Sequence, residues 1–489
     1  MRTSRYGGTT MMGIDYFVYI CCVIVNQLHC TIMRWTLFFT LTLWAMTCHA
    51  QVVGSWHGNL RVSPTYALPL VLHVSETAEG YRASLDSPDQ NAEGIVVDEF
   101  VFQPDSLMVR WQSESIGARF QGTLQGDTIK GLFAQRGLFA PLTLVRGEYV
   151  KDEEKKLPYR ASEVTIPSDE VVLSGTLTEP MEGSATTAIL LVAGSGPNDR
   201  DSKIGPHKPL YDIADYLTRE GYAVLRYDKR GVGRSTGLFN VSMLSDFEVD
   251  VEAALSYLRS QGKYQKVGVI GHSEGGLLAQ MVAADSPSLV DFIVLLAAPG
   301  VNGIETIVFQ NQVMMADLIE PDKEDAFGQV TEELFGKIAY HSTSRASDSL
   351  LIAEYFDRVL PLVMEDRRLE TERLVYSEEY QRNMIGAISS PFYKGFLRSD
   401  PSIYLPRIIC PILALNGSKD MQVGAKRNLS QIKSLATSSP SVTVKELEGL
   451  NHLFIPANSG HPSEYLFLPP GFSTEALSTL LQWLHQQHL

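Results

Sequence analysis

Gly271-His272-Ser273-Glu274-Gly275 sets a serine hydroxyl between glycines, and an aspartate, Asp420, and a histidine, His452, follow it in the chain. A serine hydroxyl is a weak nucleophile until a base takes its proton and a third group orients that base. The order Ser, Asp, His supplies all three. Ser273 would attack, His452 would act as general base and then as general acid, and Asp420 would accept the Nδ1–H of His452. Taken singly, Asp420 reads as a turn residue after Gly417-Ser418, and His452 as a polar loop histidine. Their order after a G-x-S-x-G sequence is what joins them. Acyl transfer also needs backbone N–H donors aimed at the developing oxyanion. Glu274, the residue after the serine, would give one through its main chain. The loop Ala193-Gly194-Ser195-Gly196-Pro197 would give the other, with Ser195 the first choice and Gly196 the second. A glycine loop can also cradle phosphate, but this one lacks the lysine of a P-loop and the G-x-G-x-x-G spacing.

The elements that must hold these groups are legible around them. Val267-Gly268-Val269-Ile270 reads as a strand and Leu277 to Ala284 as a helix, so Ser273 falls on a tight strand-to-helix turn that lifts its hydroxyl clear of a sheet. Strand-like runs at 163–167, 170–177, 188–193, 222–227, 266–270, 291–297, 409–415 and 442–447 alternate with helical periodicity, as in Ser245 to Arg259 and Ser473 to Gln486. This alternation predicts an α/β fold with a doubly wound, mostly parallel sheet. Asp420 and His452 each follow a late strand of that series. Between Gly300 and Pro406 strand patterns stop, and the helical pattern there predicts a cap, at about 300–406, over the carboxyl edge where open α/β sheets bind ligands. Its Met314, Met315, Phe327 and Phe335 either line a pocket or fill the cap's own core.

With the stretch Arg226-Tyr227-Asp228-Lys229-Arg230-Gly231-Val232-Gly233-Arg234-Ser235, these motifs resemble the α/β-hydrolase superfamily from about residue 160 to 489. The likeness is nearest to its serine-esterase branch, which shades into prolyl-peptidase-like and monoacylglycerol-lipase-like hydrolases. The resemblance implies a carboxylic-ester hydrolase that forms an acyl-enzyme on Ser273, needs neither metal nor organic cofactor, and uses Asp228 to Ser235 as a structural turn. The departure Ala193-Gly194, where many members carry His-Gly, leaves the second oxyanion donor open. A peptidase or amidase of the same fold is the first alternative, with Asn198-Asp199-Arg200-Asp201 either holding a charged substrate group or forming a solvated loop. A non-catalytic ligand-binding protein is the second.

The rest of the chain bounds these readings. Of 489 residues, 44% are hydrophobic and 20% charged, a globular composition, and the formal net charge of −15 argues against nucleic acid as a partner. A small-molecule ester is the expected partner, and the oligomeric state is left open. Residues 51–147 carry short alternating runs between turn residues, which predicts a small all-β barrel or sandwich. Gly54-Ser55-Trp56-His57-Gly58-Asn59-Leu60 in it resembles the first strand of lipocalin-like barrels. Residues 148–162 read as a charged linker and 163–489 as the hydrolase domain. Residues 1–50 read as a leader: a signal peptide from Met33, cleaved after Ala50, preceded by an over-long start at 1–32. Membrane anchoring through an uncleaved leader and a lipid-modified Cys48 are the alternatives. A secreted or periplasmic protein follows from the leader. Four of the five cysteines, Cys21, Cys22, Cys30 and Cys48, lie in it, which leaves Cys410 as an expected buried strand residue and no cysteine zinc site.

Overall fold

Every second residue of Ala118–Gln125 is buried and the others are exposed, the pattern of a strand with one face on a core. The computed structural model describes residues 52–64, 66–90, 92–135, 138–150, 157–182 and 184–489. The leader at 1–50, with its four cysteines, and the centre of the expected linker, 151–156, lie outside the described residues. The chain divides into two units on either side of residues 155–156.

The first unit holds nine described strands: β1 (Gly54–Arg61), β2 (Ala67–Thr77), β3 (Gly80–Ser87), β4 (Ala92–Val97), β5 (Glu99–Gln103), β6 (Met108–Ser113), β7 (Ala118–Gln125), β8 (Thr128–Gln135) and β9 (Leu138–Arg146). Their order is β4-β3-β2-β1-β9-β8-β7-β6-β5, all antiparallel, so the two edge strands are consecutive in the chain. The Ser113 hydroxyl on β6 donates to the Val96 carbonyl on β4 at 2.7 Å, which shows the sheet curling until its edges meet. Curling removes exposed edges and encloses a core that includes Trp56, Leu72, Trp111, Phe120 and Ile129.

The second unit is an eight-stranded sheet of β10 (Tyr159–Ser168), β11 (Val171–Pro180), β12 (Thr187–Val192), β13 (Ala223–Tyr227), β14 (Lys266–His272), β15 (Phe292–Leu296), β16 (Ile412–Gly417) and β17 (Val442–Leu447). The order is β10-β11-β13-β12-β14-β15-β16-β17, with β11 antiparallel to both of its neighbours, β10 and β13, and the remaining pairs parallel. Strands β12 and β15 are buried along their whole length, as a parallel sheet with both faces covered requires. The cover comes from α1 (Pro209–Arg219), α2 (Leu244–Ser260) and α3 (Glu274–Asp285), and from two later helices. Between β15 and β16 run α4 (Gly303–Met315), α5 (Glu324–Tyr340), α6 (Arg345–Val359), α7 (Glu365–Val375), α8 (Glu378–Ile388), α9 (Pro391–Leu397) and α10 (Pro401–Tyr404); α11 (Ala425–Leu435) and α12 (Thr474–Gln486) complete the chain.

Two boundaries differ from the sequence reading. Strand β10 begins at Tyr159, inside the segment 148–162 taken as linker; Arg160 to Glu163 are exposed on this edge strand and hide its periodicity. The strand expected at 409–415 begins only at Ile412, because Pro411 has no N–H for the ladder. Cys410 therefore lies just before the strand rather than in it, buried, with its thiol pushed up to about 12 by that burial.

The strand order reverses at β12. The chain leaves β12 for β13 on one side and returns to β14 on the other, so the loops after β12 and β14 part at this switch point. The turn at 228–235 braces the same edge. The carboxylate of Asp228 accepts hydrogen bonds from the Arg200 guanidinium and from the backbone N–H groups of Arg200 and Arg234. Arg230 pairs with the fully buried Asp250 on α2 through two hydrogen bonds of 2.7 and 2.8 Å, and the Ser168 hydroxyl donates to the same carboxylate at 2.6 Å. Asp250→Ala strands a buried guanidinium and a hydroxyl, so urea denaturation is expected to show a loss of about 3–5 kcal/mol.

Candidate active site

Ser273 joins β14 to α3 with φ 55° and ψ −121°, a conformation rare for a residue with a side chain. Its neighbours explain how that strain is held. A Cβ on Gly271 would lie 2.1 Å from the carbonyl oxygen of Gly275, and a Cβ on Gly275 would lie 2.2 Å from that of Val192. Strand, helix and the end of β12 thus touch backbone to backbone, which only glycine permits. Residues on both sides of Ser273 are buried, whereas Ser273 itself is half-buried.

His452 and Asp420 lie on loops that leave the neighbouring strands β17 and β16. Gly417 lets those loops cross: a Cβ there would lie 2.1 Å from the Leu450 carbonyl. His452 Nδ1 is 2.8 Å from Asp420 Oδ2, and both residues are buried. The second carboxylate oxygen, Oδ1, accepts the N–H groups of Gln422 and Val423, each at 2.8 Å. These bonds fix the carboxylate, which in turn fixes the imidazole. Asn451, fully buried, accepts the N–H groups of Leu453 and Ile455 on its side-chain oxygen and shapes the loop that carries His452.

His272, the residue before the serine, bonds to the same loop: its Nε2 lies 2.8 Å from the His452 carbonyl oxygen. Burial, and then the charge of His452, push His272 down to about 3. It is therefore neutral near pH 7, and its Nε2–H donates to that carbonyl. The bond ties the Ser273 turn to the His452 loop.

The second loop, 193–197, lies beside the serine. A Cβ on Gly194 would be 3.1 Å from the Ser273 Cβ. The Asn198 side-chain amide donates to the carbonyls of Gly194 and Ser195 at 2.9 and 2.8 Å and shapes the loop. Among the described residues, no hydrogen bond is made by the backbone N–H of Ser195 or of Glu274. The Lys229 ammonium lies 2.6 Å from the Gly194 carbonyl oxygen and 3.0 Å from Glu274 Oε1.

Ser273, Asp420, His452, Glu274 and Ser195 thus stand at the carboxyl end of one sheet, with Gly196 (φ 94°) next to Ser195 on the same loop. Lys229, His272 and Asn451 are supporting residues to which the sequence reading gave no individual role, and Asn198 shapes the 193–197 loop. Asn198 to Asp201 is no free substrate clamp. Arg200 is engaged by Asp228, Glu163, Thr176 and Ser174, Asp199 accepts the N–H groups of Asp201 and Lys203, and Asp201 pairs with Arg226.

In the cap, Phe327 and Phe335 are core, with Phe335 packed against Tyr393, while Met314 and Met315 are half-buried. A cleft of about 610 Å³ opens between α4, α5 and the start of α11, lined by Glu305, Phe309, Tyr340, Gln422, Val423 and Arg427 among others. It borders the turn that holds Asp420 and includes neither Ser273 nor His452 in its walls. Among the described residues, no three His, Cys, Asp or Glu side chains group as a metal site requires. No described helix is long and apolar enough to cross a membrane.

The lowered value of His272 has a consequence for stability. The unfolded chain takes up a proton at this residue near 6.5, whereas the native state resists until about 3. Stability therefore falls as pH drops through that window. In calorimetry between pH 7 and pH 4.5, His272→Gln is expected to flatten the fall in Tm seen for the wild-type chain; parallel curves would show that His272 titrates normally.

A family model described as the alpha/beta hydrolase fold matches residues 189–458. Esterase EstD of Thermotoga maritima is 28% identical over 295 residues, which cover 60% of this chain and 61% of that protein. The chain thus spans about three-fifths of that relative's length. Among solved structures, an esterase of Pyrococcus furiosus aligns with TM-score 0.43 and 17% identity, over 70% of this chain and 96% of that one. A proline iminopeptidase of Mycobacterium smegmatis aligns with TM-score 0.41 and 17% identity, over 66% and 98%. The family match spans more than half of the sequence and includes the loops that carry Ser273, Asp420 and His452: the chain belongs to the α/β-hydrolase fold family.

Proposed function

We propose that the protein hydrolyses carboxylic esters of small molecules through an acyl-enzyme on Ser273. The observation that carries this reading is the buried His452–Asp420 pair at 2.8 Å on the loops beside a serine held at positive φ. Asp420 selects the tautomer of His452 with Nε2 free to act as base. Ser273 Oγ attacks the ester carbonyl as its proton passes to His452 Nε2. The carbonyl π electrons move to the oxygen, which the N–H groups of Glu274 and Ser195 receive. Collapse re-forms the carbonyl and breaks the bond to the alcohol oxygen, which leaves with the proton from His452. Water then repeats the sequence on the acyl-enzyme: His452 takes its proton, the acid departs and the proton returns to Ser273. The relative named an esterase supports the choice of ester.

Cleavage of amides calls for recognition of the amine side, and the charged groups that follow the 193–197 loop in the chain, Asp199, Arg200 and Asp201, are spent on the protein's own contacts. Esters with activated leaving groups are therefore the expected substrates.

Ser273→Ala is expected to lower kcat on p-nitrophenyl acetate by roughly 10⁴-fold or more, and the wild-type chain to acylate far faster with aryl esters than with the matching anilides. An unchanged rate in the variant would assign the chemistry to another nucleophile. Comparable acylation by anilides would make it an amidase.

A further inference from the structure

We propose that Lys229 is the positioning residue of the oxyanion hole, holding one backbone donor through the Gly194 carbonyl and the other through the Glu274 side chain. The inference rests on the ester-hydrolysis reading of Ser273 and deepens it. Lys229 follows β13, Gly194 follows β12 and Glu274 follows β14. In the order β13-β12-β14 these are three neighbouring strands, and a single ammonium ties their carboxyl-end loops together.

The geometry selects a particular donor. The carbonyl of Gly194 and the N–H of Ser195 belong to one planar trans peptide and point in opposite directions. Lys229 Nζ holds the carbonyl at 2.6 Å from one side, so the Ser195 N–H is aimed to the other. That peptide adjoins the nucleophile, since a Cβ on Gly194 would lie only 3.1 Å from the Ser273 Cβ. The Lys229 backbone N–H also donates to the Asn198 carbonyl, at 3.2 Å, in the loop that follows. Ser195, rather than Gly196, is thereby assigned as the second donor. The first, Glu274, opens α3, where backbone N–H groups have no partner within the helix. Its side chain is anchored on the same ammonium at 3.0 Å.

The pair is built for place rather than stability. The Lys229 side chain is 2% exposed and that of Glu274 not at all. A buried ion pair gains little over apolar residues of the same volume. Moreover Glu274 Oε2 has no hydrogen-bond partner among the described residues. Phe247 and Phe239 present ring faces to Nζ at 5.1 and 5.9 Å, which closes the remaining side of the ammonium. An ammonium has three donors for such a bridge, and this one spends two of them on the walls of the oxyanion hole.

The test compares Lys229→Met, Glu274→Gln and the double variant, with rates on p-nitrophenyl acetate expressed per site titrated with a fluorophosphonate. Lys229→Met is expected to lower kcat by roughly 10- to 100-fold while KM stays within about twofold, since only the charged transition state uses the hole. The double variant, which leaves no unpaired charge buried, should regain much of the Tm lost by either single variant and yet remain slow. Recovery of wild-type kcat together with Tm in the double variant would overturn the inference, because the pair would then serve stability alone. So would an unchanged kcat per titrated site in Lys229→Met. A wild-type chain inert to both ester and fluorophosphonate would instead overturn the ester reading itself, and this inference with it.

Discussion

The close contact of three backbones at the end of β14 is the constraint on which the site depends. Gly271 touches Gly275, and Gly275 touches the carbonyl of Val192, with no room for a Cβ at either glycine. Strand β14, helix α3 and the end of β12 are thereby locked together, and Ser273 between them is held at a positive φ that it would not adopt unaided. The same contact brings the 193–197 loop alongside the serine. Because the strand order reverses at β12, a crevice opens at this point, and the glycine contacts turn it into a place for a hydroxyl.

Around that contact, polar side chains are held in pairs. Lys229 meets Glu274, Arg230 meets Asp250, Arg200 meets Asp228 and His452 meets Asp420. Three of the pairs join segments that leave different strands, Arg230 and Asp250 tie a turn to the helix that follows it, and each pair is strengthened by the low polarity of its surroundings. Such pairs are poor sources of net stability, but they hold side chains and main-chain dipoles in one orientation. Donors already oriented need not reorganise as charge develops, which is where electrostatic catalysis gains most. His272 fits this pattern by staying neutral. It bonds the His452 loop through its Nε2–H without adding a positive charge beside His452.

Much of the fold was legible from the sequence, for physical reasons that particular residues show. Buried parallel strands are continuous apolar runs, so Thr187–Val192 and Phe292–Leu296 announce themselves. Strand β10 does not, because four consecutive exposed residues follow Tyr159. That Asp420 and His452 would meet beside the Ser273 turn was legible through chain order, since each follows a late strand of the same sheet. The supporting residues were not. Lys229 sits in a turn that reads as structural, and only the spatial order β13-β12-β14 carries it to Gly194 and Glu274. Asn451 stands beside His452 in the sequence, but its role depends on a loop that folds back to Ile455. The charged run Asn198 to Asp201 reads as solvated or ligand-binding until its partners Asp228, Glu163 and Arg226, all distant in sequence, are seen around it.

The central claim is that the strained serine forms a covalent acyl intermediate. It is tested most directly by mixing the protein with p-nitrophenyl acetate, quenching in acid within the burst, and mapping the added acetyl group by peptide mass spectrometry. The account predicts a single acetyl group on Ser273, appearing with the first equivalent of released nitrophenol. Steady hydrolysis with no acetyl group on Ser273, or with the label on another residue, would contradict it.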